Sequence, residues 1–194
     1  KSAEELLGGN SKYYNYYHEA YTAALGGLVG SYAIEINGQW KSQYGLKAFS
    51  PVAAGYGYSH CSDFGNSRNF GFARKHLGND LMGSLGTPVV AVEGGIVEAM
   101  GWNRFGGWRI GIRSFDSKRY YYYAHLDSYE KAFEIGEPVA AGQILGRMGD
   151  SGYGKTPGTK GKFDVHLHVG IYIKDLSGKE RAVNPYWFLK QLEI

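Results

Sequence analysis

The run from Val165 to Ile173 reads Val-His-Leu-His-Val-Gly-Ile-Tyr-Ile, and its alternation constrains the chain more than any other stretch. Residues i and i+2 of a β-strand point to the same side of the sheet. The run is rich in Val, Ile and Tyr, as strands are. As a strand it places Leu167, Val169 and Ile171 on one face, the natural core face. His166, His168 and Gly170 share the other. A strand with one apolar face needs a sheet around it. Paired imidazoles on the non-core face suit metal binding or acid-base chemistry.

The composition fits a sheet. The 194 residues include 30 glycines and 17 tyrosines, a mixture that favours turns and strands over a helical bundle. That length holds one full domain with room for an appendage. A single cysteine, Cys61, excludes an internal disulfide and any zinc site built from several thiolates. Cys61 itself is expected to be a partly buried small residue. The net charge of +3 is spread along the chain and singles out no anionic partner; none is expected among nucleic acids. No run of about 18 apolar residues is present, so no membrane segment is expected in this chain. The chain begins at Lys1 with no signal segment in view. It reads as a piece of a longer protein whose targeting segment would lie upstream.

Element signals follow in order. Ser2 and Glu5 form a capping box for a short helix that Gly8 and Gly9 end. A longer helix capped by Asn10 or Ser11 is expected through about Val29, with Tyr17, Tyr21, Ala24, Leu25 and Leu28 on one face. Asn37-Gly38 lies between two alternating runs, a hairpin signal. Residues 49–72 are glycine-rich and read as irregular. Two strands are expected about Gly94-Gly95, a hairpin turning at 116–118, a short strand near 144–148, a polar loop over 152–162, and the histidine strand. A closing helix capped by Asn184, with Pro185 in its first turn, ends the chain. The fold class expected is therefore mostly β. An antiparallel domain over 45–194 carries an N-terminal helix and hairpin appendage over 1–44, whose aromatic stripe packs onto it.

His76 and Asp80 are four apart in His-Leu-Gly-Asn-Asp. Gly78 and Asn79 disfavour a helix, so a turn entering a strand is expected, bending both groups toward one point. With His166 and His168 the chain offers nitrogen, oxygen and nitrogen ligands. Three protein ligands with an open fourth position are the pattern of catalytic zinc. His125 sits at the end of a tyrosine-rich strand. His18 and His60 read as structural or solvent-facing.

These motifs occur in a distinctive order: His76 and Asp80, Tyr-Ala-His125-Leu, Gly149-Asp-Ser-Gly152, His166-Leu-His168 and Asn184-Pro-Tyr-Trp-Phe-Leu189. Together they resemble the M23 family of zinc metallopeptidases, the lysostaphin and LytM-like cell-wall hydrolases. The segment from Tyr58 to Asp80 also looks like the stretch before the first ligand in many members. The resemblance covers about Phe49 to Leu189. It implies an antiparallel sheet with a substrate groove, and Zn2+ held by His76, Asp80 and His168. It makes His166 the catalytic histidine and His125 its catalytic partner. It implies hydrolysis of peptide bonds in bacterial peptidoglycan, by an extracytoplasmic protein of the cell envelope or medium. The alternatives are a non-catalytic relative that binds or regulates, and a zinc amidase acting on the bond between sugar and peptide. One departure is the longer, lysine-bearing stretch before His166. Its Lys155, Lys160 and Lys162 are expected to be solvated and to border the groove.

Overall fold

The computed structural model describes residues 26–36, 39–69, 73–174 and 177–193. The chain divides into two compact units, 1–47 and 48–194. The expected N-terminal helices, their stripe as far as Leu25, His18 and the Asn37-Gly38 turn lie outside the described residues.

In the first unit, strands β1 (Val29–Ile36) and β2 (Gln39–Leu46) pair antiparallel without a break, from Val29 opposite Leu46 to Ile36 opposite Gln39. The expected helix reached Val29, but Val29 opens a strand. Gly27 takes φ +85°, which ends any helix, and the β-branched, alternating run beyond it favours extended backbone.

The second unit contains β3 (Ser59–Cys61), β4 (Ser67–Asn69), β5 (Ala73–Lys75), β6 (Asn79–Met82), β7 (Pro88–Val90) and β8 (Gly95–Asn103). There follow β9 (Gly107–Ser114), β10 (Arg119–Tyr129), β11 (Pro138–Val139), β12 (Ile144–Met148), β13 (His166–Lys174) and β14 (Glu180–Val183). Ten of them form one sheet with the path β11-β8-β9-β10-β13-β6-β3, while β4 and β5 pair separately. β12 joins β10 to β7, and β14 lies on β13. Every pairing is antiparallel. The hairpin expected about 116–118 is the β9–β10 turn. The two strands flanking Gly94 do form, but β7 pairs with β12 and β8 with β9 and β11. The stretch over 49–72, expected to be irregular, carries β3 and β4.

Alternation decides what is buried. Leu167, Val169 and Ile171 of β13, and Tyr121 and Tyr123 of β10, enter the hydrophobic core. Cys61 was expected to be partly buried, but it is exposed. It sits on β3, the last strand on that side of the sheet path among the described residues. The closing helix α1 spans Tyr186–Lys190, one residue later than expected. Pro185 takes the cap position, and Asn184 Oδ1 accepts the Tyr186 N–H at 3.0 Å.

One charged group lies on the core side of β10. Arg119 is 1% exposed, and its Nε and Nη2 donate to Glu93 at 2.7 and 2.9 Å. The Tyr121 hydroxyl donates to the same carboxylate at 2.8 Å. Removing one partner of a buried ion pair strands the other charge and costs about 3–5 kcal/mol. Arg119→Met should therefore lower the free energy of unfolding by about that amount. A urea titration would show it as a lower midpoint with an unchanged slope.

Candidate metal centre

Strand register brings two of the expected ligands together. On β13, His168 lies opposite Ala124 of β10 on one side and opposite Asp80 of β6 on the other. Asp80 lies in turn opposite Cys61 of β3. Directly opposed residues share a face, with Cβ atoms about 4.5–5.5 Å apart. His168 and Asp80 are thus neighbours across the sheet, on the side away from Leu167 and Leu81. His76 arrives from the turn between β5 and β6. Gly78 lets that turn pass over the sheet: a Cβ there would lie 2.5 Å from His168 Cε1 and 2.6 Å from the Val169 carbonyl oxygen.

Three donor atoms converge as a result. His76 Nε2 is 3.0 Å from Asp80 Oδ1 and 2.9 Å from His168 Nδ1, and His168 Nδ1 is 2.9 Å from Asp80 Oδ1. His76 and Asp80 are buried. His76 Nδ1 lies 2.8 Å from Asp63 Oδ1. A carboxylate only accepts, so the His76 proton belongs on Nδ1 and Nε2 is left as a lone pair. That lone pair then faces a carboxylate oxygen, an arrangement a cation resolves. Tetrahedral zinc ligands at 2.0–2.1 Å stand about 3.3 Å apart, so the trio fits such an ion after a small outward shift. Burial would push the Asp80 carboxyl up, but hydrogen bonds to His168 and His76 and the pull of His168 and His166 outweigh it and hold it well below the usual range. Burial also pushes the His168 imidazole down, against the opposing pull of Asp80, which favours the neutral form a metal needs.

His166 and His125 stand beside this trio. His166 Nε2 is 3.8 Å from Asp80 Oδ1, farther than either His76 or His168. Its Nδ1 is 2.7 Å from the Asp164 carbonyl, and His125 Nδ1 is 2.8 Å from the Ser151 carbonyl. A carbonyl only accepts, so both rings carry their proton on Nδ1 and present Nε2 as a lone pair. The two ring centroids are 4.6 Å apart. Burial, reinforced by His166 and His168, pushes the His125 imidazole well below its ordinary value.

Simple alternation would put His125 on the core face with Tyr121 and Tyr123. The backbone prevents this. His125 has φ +64°, and the pairing of β10 with β9 shifts register between Tyr123 and Leu126. A bulge of this kind re-aims a side chain. The His125 N–H donates to Gly106 at 2.7 Å. Gly107, at φ +65°, allows that loop to lie against Ser151, whose carbonyl oxygen would be 2.3 Å from a Cβ at this position. Ser151 is fully buried; its Oγ donates to the Leu126 carbonyl at 2.6 Å and accepts from Trp108 N–H at 3.0 Å.

These groups line one pocket of about 230 Å3, with Arg74, Phe105, Tyr122, Tyr153 and Phe163 among its walls. Of the four consecutive tyrosines, Tyr121 and Tyr123 are in the core and Tyr122 faces the pocket. The lysine-bearing loop meets the site through aromatics: the Phe163 ring lies 4.6 Å from that of His125 and 5.0 Å from that of His166. Lys155, Lys160 and Lys162 are exposed, and Lys160 pairs with Asp127. His60 stands apart from this pocket, bridging Asn79 and Glu193. Sequence reading had no role for Asp63, Arg68, Ser151 or Phe163. The Gly-Asp-Ser-Gly motif and the segment before His76 were the available signals, but neither says what the residues touch.

Residues 74–185 match the profile of peptidase family M23. The chain is 41% identical over 180 residues to the L-Ala–D-Glu endopeptidase of Bacillus subtilis, covering 93% of this chain and 53% of that protein. It is 34% identical over 116 residues to lysostaphin of Staphylococcus simulans, covering 59% of this chain and 21% of that one. A solved structure from Ruminococcus gnavus, described as a glycyl-glycine endopeptidase LytM, superposes with a TM-score of 0.65 at 43% identity, over 75% of this chain and 60% of that one. This chain belongs to peptidase family M23 and has the lysostaphin and LytM type of fold. It spans about half the length of the Bacillus relative and about a fifth of lysostaphin.

The close approach at Gly78 gives a test of the centre. Gly78→Ala should push the His168 ring off the trio and weaken binding of a divalent metal by about 10–100-fold, the range seen when a ligand loses its support. Competition with a chromophoric chelator measures this directly.

Proposed function

We propose that this chain is a zinc-dependent endopeptidase that hydrolyses peptide bonds in bacterial peptidoglycan, acting outside the cytoplasm. The observation that carries the reading is the convergence of His76 Nε2, Asp80 Oδ1 and His168 Nδ1 to within 3.0 Å of one another, beside two imidazoles that both present Nε2. Membership of the M23 family supports it, as do relatives named for cleaving an L-Ala–D-Glu bond and for glycyl-glycine cleavage. No helix among the described residues is long and apolar enough to cross a membrane.

His76, Asp80 and His168 would hold the ion, with Asp80 offsetting one of its two positive charges. Zinc in such a site supplies a Lewis acid for the scissile carbonyl and a water whose pKa falls to about 7. The protein's own part is proton handling. His125 and His166 turn Nε2 into the pocket with Nδ1 held by a backbone carbonyl, so either can accept the proton of the attacking water. The proton then passes to the leaving amine as the C–N bond breaks, which restores the neutral ring. While it holds that proton, the same ring presents an Nε2–H, the form of imidazole that can stabilise negative charge on the carbonyl oxygen. Fixed Nδ1–H donors to Asp164 and Ser151 keep both rings from rotating, so little reorientation is needed during the reaction.

The peptide would lie along the sheet face carrying Tyr122 and Ala124, between the walls formed by Phe105 and Phe163. Catalysis is assigned to the domain over 45–194, so a chain starting at Gly45 should keep the metal centre. Elemental analysis of that shortened chain should find one zinc per molecule; a folded product without zinc would move the site's boundary.

His125→Ala and His166→Ala should retain zinc and lose activity by about 10²–10⁴-fold, the usual contribution of general acid-base catalysis. Mass spectrometry of digested peptidoglycan tests the reaction itself. New amino termini within the stem or cross-link peptide mark an endopeptidase. Release of intact peptide from the sugar would mark an amidase instead, and no cleavage by zinc-loaded protein would leave a binding domain.

A further inference from the structure

The residues around His76 and Asp80 form a closed ring that the ligand trio does not explain. His76 Nδ1 lies 2.8 Å from Asp63 Oδ1, and Asp63 Oδ2 accepts from Arg68 Nη2 at 2.5 Å. The same Arg68 Nη2 donates to Asp80 Oδ2 at 2.7 Å. Asp80 Oδ1 returns to His76 Nε2 at 3.0 Å. Two ligands are thereby tied to each other from behind, through one carboxylate and one guanidinium.

We propose that Asp63 and Arg68 are positioning residues of the metal centre: Asp63 sets the tautomer and plane of His76, and Arg68 holds the second oxygen of Asp80 so that this carboxylate meets the metal through Oδ1 alone. The inference rests on the metal reading above and adds to it a specified outer layer.

Three observations carry it. First, His76 Nδ1 and Asp63 Oδ1 are both buried and 2.8 Å apart, and neither makes a well-formed hydrogen bond among the described residues. The His76 N–H is angled off the line between them, but among the described residues Asp63 Oδ1 is the charged atom that Nδ1 faces. A carboxylate behind a ligating imidazole fixes the ring and raises the basicity of the nitrogen facing the metal. Second, the segment bearing both residues is built around His76. Gly65 N–H donates to the His76 carbonyl at 2.7 Å, His76 N–H to the Asn66 carbonyl at 2.8 Å, and Asn66 N–H to the Asp63 carbonyl at 3.1 Å. Asp63 cannot move without moving the ligand it serves.

Third, Arg68 stands directly opposite Arg74 on the β4–β5 ladder. Like charges facing each other across strands are unfavourable. The arrangement is sustained because Arg68 sits between two carboxylates. An arginine beside a metal site would otherwise repel the cation. With Asp63 and Asp80 on either side, its charge is offset, and what remains is directional: Nη2 occupies Asp80 Oδ2. A carboxylate with both oxygens free can turn to chelate a metal through both. One whose second oxygen is held cannot, and the fourth position stays open, as catalytic zinc sites require.

The test measures metal binding, so it does not depend on turnover. Zinc affinity is read by chelator competition for wild type, Asp63→Asn and Asp63→Ala. The coordination shell is read by X-ray absorption on zinc-loaded wild type and Arg68→Met, which keeps an apolar stem of similar length. Unfolding in the presence of excess EDTA checks that the variants are folded. The expected order of affinity is wild type, then Asp63→Asn, then Asp63→Ala, with the last weaker by about 10–100-fold. Arg68→Met should gain one oxygen neighbour at the zinc, from a chelating Asp80. Affinity of Asp63→Ala within twofold of wild type overturns the role of Asp63, and an unchanged shell in Arg68→Met overturns that of Arg68. Wild-type protein that takes up no zinc overturns the metal reading itself, a result distinct from either.

Discussion

The pairing of β13 with its two neighbours is the constraint on which the site depends. It places Ala124, His168, Asp80 and Cys61 in one row across four strands. A slip of one residue would turn every side chain of β13 to the opposite face. The register is held from the other side of the sheet, where Leu167, Val169 and Ile171 are buried. Each such side chain contributes about 1.5–3 kcal/mol when buried. Exposing three of them and burying two histidines in exchange is far too costly to compete. The alignment of His168 with Asp80 is therefore a consequence of the core beneath them.

Where the site departs from a regular sheet, the departures have local causes. His125 leaves the alternation of β10 through a left-handed residue at a register shift, and Gly78 and Gly107 accept contacts no other side chain could. Such backbone features cost about 1–3 kcal/mol each and persist only where the surroundings hold them. Here the surroundings are specific: Gly106 accepts the His125 N–H, and buried Ser151 fixes the loop that orients the imidazole. Regular strands supply Asp80, His166 and His168, a turn supplies His76, and the irregular position in β10 supplies His125.

The electrostatics follow the same division. The trio and its two neighbours contain four imidazoles and one carboxylate, too few negative charges to hold all the rings protonated. Burial favours the neutral forms of His125 and His168, and backbone carbonyls choose the tautomers of His125 and His166. Beside Asp80, the Arg68 guanidinium is paired with both Asp63 and Asp80, so its charge is offset where it borders the pocket. The outcome is a cluster of lone pairs directed at one volume, the condition for binding a cation and for accepting a proton from water.

The sequence by itself determined several of the longer strands and which faces they bury, though not β3, β4 or that Val29 opens a strand. Period-two alternation is a local property, legible in 165–173, in the tyrosine run and in the hairpin about 116–118. The order of short motifs, taken as a resemblance, also picked out His76, Asp80, His125, His166 and His168. Other features were decided only by tertiary structure. That His168 rather than His166 joins His76 and Asp80 depends on a pairing between segments nearly ninety residues apart. That His125 turns toward the pocket depends on a register shift between β10 and β9. Asp63, Arg68 and Ser151 acquire their roles through contacts with His76, Asp80 and His125, and nothing in their local sequence specifies those distances. Local periodicity fixes which way a side chain points along its own strand, but only the register between strands and the close passage of glycine turns fix what it meets.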